Sequence, residues 1–149
     1  MTWRRRFMKR THRKIIFALA LAVFLIGITM PGLAMVTSID VDKSYKLIQK
    51  HDGDDDFVIL DVRTQREYAD GHLENAVNID YYIDTFKDEL NALDRDKTYL
   101  VYCETGGRSG KTLRIMQQLG FKNVYNMKGG YVSWQQKNYP VHDQPSKER

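Results

Sequence analysis

One cysteine in 149 residues excludes an internal disulfide, so pairing says nothing about the redox compartment. The histidines are as sparse. His12, His51 and His142 lie in polar or terminal segments and form no ligand cluster, and no metal is expected. A net positive charge is also missing from most of the chain, despite a formal net charge of +4. Seven Lys/Arg (Arg4, Arg5, Arg6, Lys9, Arg10, Arg13, Lys14) fall in the first fourteen residues, which hold no acid. The remainder sets 16 basic against 19 acidic residues, a net of −3. The high pI therefore belongs to the N-terminus and does not argue for nucleic-acid binding. A length of 149 residues allows one domain with a single core.

The longest apolar run is short. Ile15 to Ile28 is uncharged and falls below the roughly 20 residues that favour a full membrane span. Pro31 and Gly32 follow, and Gly32-Leu33-Ala34 offers the small residues a signal peptidase reads. Residues 1–34 are expected to be a signal peptide cleaved after Ala34, or else an N-terminal anchor retained in the membrane through residues 15–36. The positive charges keep the N-terminus in the cytoplasm in both cases, so the domain is expected to be exported, periplasmic or extracytoplasmic. No cysteine follows the run, which argues against a lipid-modified N-terminus, and Arg4-Arg5-Arg6-Phe7-Met8-Lys9 has the look of a twin-arginine export signature.

From Val36 strand and helix signals alternate. Val36–Ile39 reads as an edge strand, and Asp40 as the cap of a helix with Val41, Tyr45 and Ile48 on one face. His51–Asp56 resembles a calcium loop only superficially: Phe57 stands where the turn glycine belongs and Arg63 where the bidentate glutamate belongs. Phe57–Val62 is nearly continuously apolar, as in a parallel strand buried on both faces. Thr64-Gln65-Arg66-Glu67 fits a capping box opening a short helix ended by Asp70-Gly71, and Ala76–Ile79 reads as a further strand. Asp80 is expected to cap a helix that places Tyr82, Phe86, Leu90 and Leu93 on one face. A strand over Thr98–Tyr102, a helix over Lys111–Leu119, a strand over Asn123–Met127 and a helix after Gly129-Gly130 complete the pattern, with Trp134 in the core. The polar tail from Pro140 reads as flexible. Such alternation predicts an α/β fold with a parallel sheet, and ligands in these sheets bind beyond the carboxyl ends of the strands.

Cys103 stands at such an end. The loop Cys103-Glu104-Thr105-Gly106-Gly107-Arg108-Ser109 places the thiol before a helix whose free N–H groups and dipole favour a thiolate and any anion brought to it. Gly106 and Gly107 let the loop curl into a nest of N–H groups, and Arg108 adds a fixed positive charge. An inert buried cysteine requires none of this, so Cys103 is the candidate nucleophile. Glu104, Thr105, Gly106, Gly107, Arg108 and Ser109 are the candidate substrate-binding residues. Arg108 is assigned to orienting an anionic donor and lowering the thiol pKa. Asp61 and Arg63 are expected to pair in their own neighbourhood, including Glu67, and His72 to pack.

Taken together, Asp61-Val62-Arg63, Glu67-Tyr68, Gly71-His72-Leu73, Asn75-Ala76-Val77-Asn78-Ile79, the Cys103–Arg108 loop and Gly129-Gly130-Tyr131 with Trp134 resemble a single-domain rhodanese, from about Ile39 to Tyr139. The resemblance implies a central parallel sheet with helices on both faces, over a domain of residues 36–142 followed by a tail at 143–149. It also implies a sulfurtransferase whose cysteine carries sulfur as a persulfide, taking it from thiosulfate or a related donor and passing it to cyanide or a thiol, without a cofactor. Glu104 departs from the family pattern, since an acid beside the cysteine opposes an anionic donor. Related cysteine phosphatases and arsenate reductases place five residues between cysteine and arginine. Here four intervene, a ring better matched to one extra sulfur than to phosphate. A third reading is a redox-sensing or binding module in which Cys103 is modified without turnover. No protein partner is legible.

Overall fold

The structure is a computed structural model and describes residues 34–142. The expectations for residues 1–33 and 143–149 lie outside the described residues.

Five strands, β1 (Met35–Ile39), β2 (Phe57–Asp61), β4 (Val77–Asn78), β5 (Thr98–Tyr102) and β6 (Asn123–Met127), form one sheet in the order β1-β6-β5-β2-β4. Every pairing in it is parallel. The sequence explains why β2 and β5 are central. Their residues alternate between two buried layers: Leu60, Tyr99 and Val101 face one way, with Val62 just beyond β2, while Ile59, Leu100 and Tyr102 face the other. A strand apolar on both sides is stable only between two covering layers.

Helices α1 (Val41–Lys50), α3 (Phe86–Ala92), α4 (Gly107–Gln118) and α5 (Gly130–Gln136) provide those layers. Phe86, Leu90 and Met116 of α3 and α4 join the first cluster, with Phe121. Val41, Tyr131 and Trp134 of α1 and α5 join the second. The expected α/β architecture with helices on both faces is therefore found. Asp40 caps α1, its carboxylate accepting from Lys43 N at 2.8 Å, and Thr64 and Glu67 close a capping box on α2 (Gln65–Ala69). The acid-rich turn after α1 is exposed, and Trp134 is buried.

Four expectations are corrected. The strand at 76–79 shrinks to Val77–Asn78, an edge strand that reaches only the last two residues of β2. No helix starts at Asp80. Its carboxylate instead accepts from Tyr82 N and Gln65 N, residues 81–85 run as turns, and α3 begins at Phe86. Tyr82 is thereby left 68% exposed instead of joining the face of Phe86 and Leu90. The helix expected from Lys111 starts four residues earlier, at Gly107. Finally, residues 140–142 are pinned. Pro140 O accepts from Trp134 Nε1 at 2.9 Å, and β7 (Val141–His142) pairs antiparallel with β3 (His72–Leu73).

Candidate functional site

Cys103 follows β5 directly, and its loop is fixed from both sides. Tyr131 N donates to Cys103 O at 2.8 Å and Val132 N to Glu104 O at 3.1 Å, so the first turn of α5 holds the carbonyls of the loop. Gly130 makes that approach possible. It sits at φ +59°, and a Cβ there would collide with the carbonyl oxygens of Cys103 and Glu104. Gly106, at φ +97°, turns the chain into α4, and a Cβ there would crowd Gly129 N at 3.2 Å.

Those two constraints aim donors at the sulfur. Gly106 N donates to Cys103 Sγ at 3.1 Å and Ser109 Oγ donates to it at 3.4 Å. Burial pushes the thiol up, but the Ser109 hydroxyl and the N–H groups of Ser109, Gly106 and Thr105 outweigh it, and the Cys103 pKa lies below the ordinary thiol value. Of these N–H groups, that of Ser109 belongs to the first turn of α4 and that of Gly106 to its cap. A thiolate in such a nest is a nucleophile, and an anionic adduct on it would meet the same donors.

One assignment changes and one is refined. Arg108 was expected to lower the Cys103 pKa; Ser109 and the loop N–H groups lower it most, and the Arg108 charge is coupled to the thiolate to a lesser degree. Arg108 instead lies along Glu67, Nη1 to Oε2 at 2.8 Å and Nη2 to Oε1 at 2.6 Å, with Tyr82 under its Cζ at 5.6 Å from the ring centre. The Arg108 hydrogen bonds, with help from Thr64, draw the Glu67 pKa down to about 2. Arg108 is raised in turn, chiefly by Glu67 and to a lesser degree by Cys103. Glu67 thus belongs to Arg108 and not to the Asp61–Arg63 neighbourhood. No local signal gives this partner, because 41 residues separate the two.

Asp61 and Arg63 do pair, Arg63 Nε and Nη2 donating to Asp61 Oδ2 at 3.0 and 2.9 Å, while Arg63 Nη2 also donates to Gly71 O at 2.5 Å. Glu104 turns toward this pair, its Oε2 accepting from Arg63 Nη1 at 3.4 Å. Of the other residues singled out, Thr105 and Ser109 join Gly106 around the sulfur, and Gly107 opens α4 with open space where a Cβ would stand. His72 packs flat on Tyr68 with ring centres 3.8 Å apart. Sequence reasoning missed the role of Gly130 in admitting the loop. Its pairing with Gly129 was visible, but the close approach it permits was not. Among the described residues no three His, Cys, Asp or Glu side chains gather to hold a metal ion, and no helix is long and apolar enough to cross a membrane.

The fold and this cradle define an α/β domain that presents a cysteine at the carboxyl edge of its sheet. The family model for the rhodanese-like domain matches residues 44–137, and the chain belongs to that family. A rhodanese-like domain-containing protein of Arabidopsis thaliana is 34% identical over 118 residues, covering 71% of this chain and 72% of that protein. A putative sulfurtransferase of Bacillus subtilis is 32% identical over 94 residues, covering 63% and 88%. The crystal structure of a rhodanese-related protein from Thermoplasma volcanium superposes with a TM-score of 0.61 at 32% identity, covering 71% of this chain and 97% of that one.

Proposed function

We propose that this protein is a sulfurtransferase that moves sulfane sulfur from thiosulfate or a related donor to a thiophilic acceptor, cyanide or a thiol, through a persulfide on Cys103. The observation that carries the reading is the Cys103 sulfur held between Gly106 N and Ser109 Oγ at 3.1 and 3.4 Å. The thiolate attacks the outer sulfur of the donor. A new sulfur–sulfur bond forms as the donor's own breaks, and with thiosulfate the electron pair leaves on sulfite. The persulfide then rests against the loop N–H groups until cyanide or a thiolate takes the outer sulfur and returns the Cys103 thiolate. No step draws on a cofactor, a metal or a nucleic acid.

Intact mass spectrometry tests the cycle. Exposure to a sulfane donor is expected to add one sulfur, cyanide to remove it, and Cys103→Ala to gain none. A free, alkylatable Cys103 that takes no sulfur from any donor defeats the proposal.

Export is part of the same proposal, supported by the basic N-terminus followed by the Ile15–Ile28 run. The mass of the protein recovered from the producing cell distinguishes its two forms: a chain starting at Met35 is the cleaved form, and an intact N-terminus in the membrane fraction is the anchored one. A full-length chain found entirely in the cytoplasm overturns export.

A further inference from the structure

Both arginines at the cysteine loop are already neutralised by carboxylates of the protein. Arg108 gives both terminal nitrogens to Glu67, and Arg63 is shared between Asp61 and Glu104. Against these two cations stand three carboxylates, so the group is net negative before the thiolate is counted. Glu104 makes the excess, directly after Cys103 and partly exposed. A dianion entering such a site is repelled, whereas a neutral or cationic molecule is not. The rim carries a second signal. Tyr82 lies 68% exposed beside the Arg108 guanidinium, followed by the 39% exposed Ile83. An inorganic donor gains nothing from such a wall, but an organic body packs on it.

We propose that the sulfur donor at this site is an organic persulfide, R–S–SH, whose R group carries no net negative charge, and that Glu104 is the residue that discriminates against thiosulfate. This deepens the sulfurtransferase reading and rests on it. The Cys103 thiolate attacks the outer sulfur of R–S–SH, and the new bond forms as the donor's sulfur–sulfur bond breaks. The electron pair leaves on R–S⁻, and the transferred sulfur keeps its proton. The exchange is balanced without an oxidant or reductant. Tyr82 and Ile83 bear on R, and Glu104 acts by charge alone.

Three donors separate the possibilities: thiosulfate, the persulfide of N-acetylcysteine with its carboxylate, and the persulfide of cysteamine with its ammonium. Transfer to cyanide is followed for each as kcat/KM. Glu104→Gln is expected to raise the thiosulfate value roughly three- to tenfold relative to cysteamine persulfide, the size expected for one nearby charge acting on a dianion. Tyr82→Ala is expected to lower both persulfide values and leave thiosulfate unchanged. The unaltered protein gives an independent readout: from about 0.05 to about 0.5 M KCl the thiosulfate value should rise relative to the cysteamine persulfide value, because screening weakens the repulsion of the dianion. A thiosulfate value that falls with salt relative to the cysteamine persulfide value, or a donor ratio indifferent to Glu104→Gln in a variant that melts like the parent, overturns the inference while sulfur transfer stands. If none of the three donors loads Cys103, sulfur transfer itself fails and takes the inference with it.

Discussion

Arg63 and Arg108 stand near the same edge of the sheet, and each is held by a carboxylate, yet their settings are opposite. The side chain of Arg63 is 3% exposed and that of Asp61 0%. Its guanidinium is further satisfied by Gly71 O and Glu104, and lies 4.0 Å from the centre of the Tyr131 ring. Arg108 and Glu67 are 15% and 32% exposed, and Arg108 has one carboxylate partner and one exposed ring beside it. A dry, fully partnered guanidinium is committed to the scaffold. A half-buried one with a single carboxylate partner is less committed to it. Burial and partner count, more than residue type, divide the two roles.

The largest effect expected from this contrast is on stability. Arg63→Met leaves the Asp61 carboxylate buried without its cation, and such a loss costs about 3–5 kcal/mol. Urea denaturation should show it as a lowered midpoint with little change of slope. Asp61→Asn combined with Arg63→Met should recover a good part of the loss, since the cost lies in the uncompensated charge. A single-variant loss below about 1 kcal/mol would erase the distinction between the two arginines.

Arg108→Met should do the reverse. Its pair is partly solvated, so stability is expected to change by no more than about 1 kcal/mol. Sulfur loading of Cys103 should fall roughly tenfold, because Glu67 is left as an unbalanced anion near the thiolate. Adding Glu67→Gln sharpens the test: loading should return to within about threefold if Arg108 works by balancing charge. A double variant as slow as the single one would assign Arg108 to gripping the donor.

Why one arginine's partner was legible and the other's was not is a matter of range. The continuous apolar run of Phe57–Val62 has one stable use, a strand covered on both faces, and Arg63 lies two residues from Asp61. The capping box of Thr64 and Glu67 is equally local. Cys103 with its glycines announces a turned loop before a helix. Glu67 and Arg108, by contrast, meet through the tertiary fold, and a carboxylate that serves as a cap can also serve a distant guanidinium without any mark in the sequence. The same limit explains Asp80: the periodicity of Tyr82, Phe86, Leu90 and Leu93 suits one long helix, but the Asp80 carboxylate is engaged by Tyr82 N and Gln65 N. At the other end, a proline-bearing polar segment looks like a tail until Trp134 and β3 provide partners for its backbone.

Ser109 and Arg108 can be told apart as tuners of the thiol. Ser109→Ala removes the hydroxyl that bonds to Sγ and leaves Arg108 in place, so the midpoint of Cys103 alkylation against pH should move up, by an amount worth about 1 kcal/mol for one hydrogen bond. Its ordinary loop N–H donors remain, so the midpoint should stay short of a fully unassisted buried thiol. No movement would return the tuning of the thiol to Arg108.

The smallest effect belongs to the pH dependence of the Arg108 clamp. Glu67 is depressed from an unperturbed 4.5 to about 2, chiefly by its hydrogen bonds from Arg108. A carboxylate whose folded pKa is depressed contributes stability that is complete above its unfolded pKa and lost as pH falls through the folded value. The stability difference between the parent and Glu67→Gln should therefore be constant from neutral pH down to about 4.5 and shrink to nothing near 2. With the Glu67 side chain 32% exposed, solvent screening holds the contribution to about 1 kcal/mol or less. Urea midpoints of the two proteins at stepped pH measure it. A difference that disappears already above pH 5 would mean that Arg108 does not hold Glu67 in solution, and the arginine would then be free to meet an anionic donor after all.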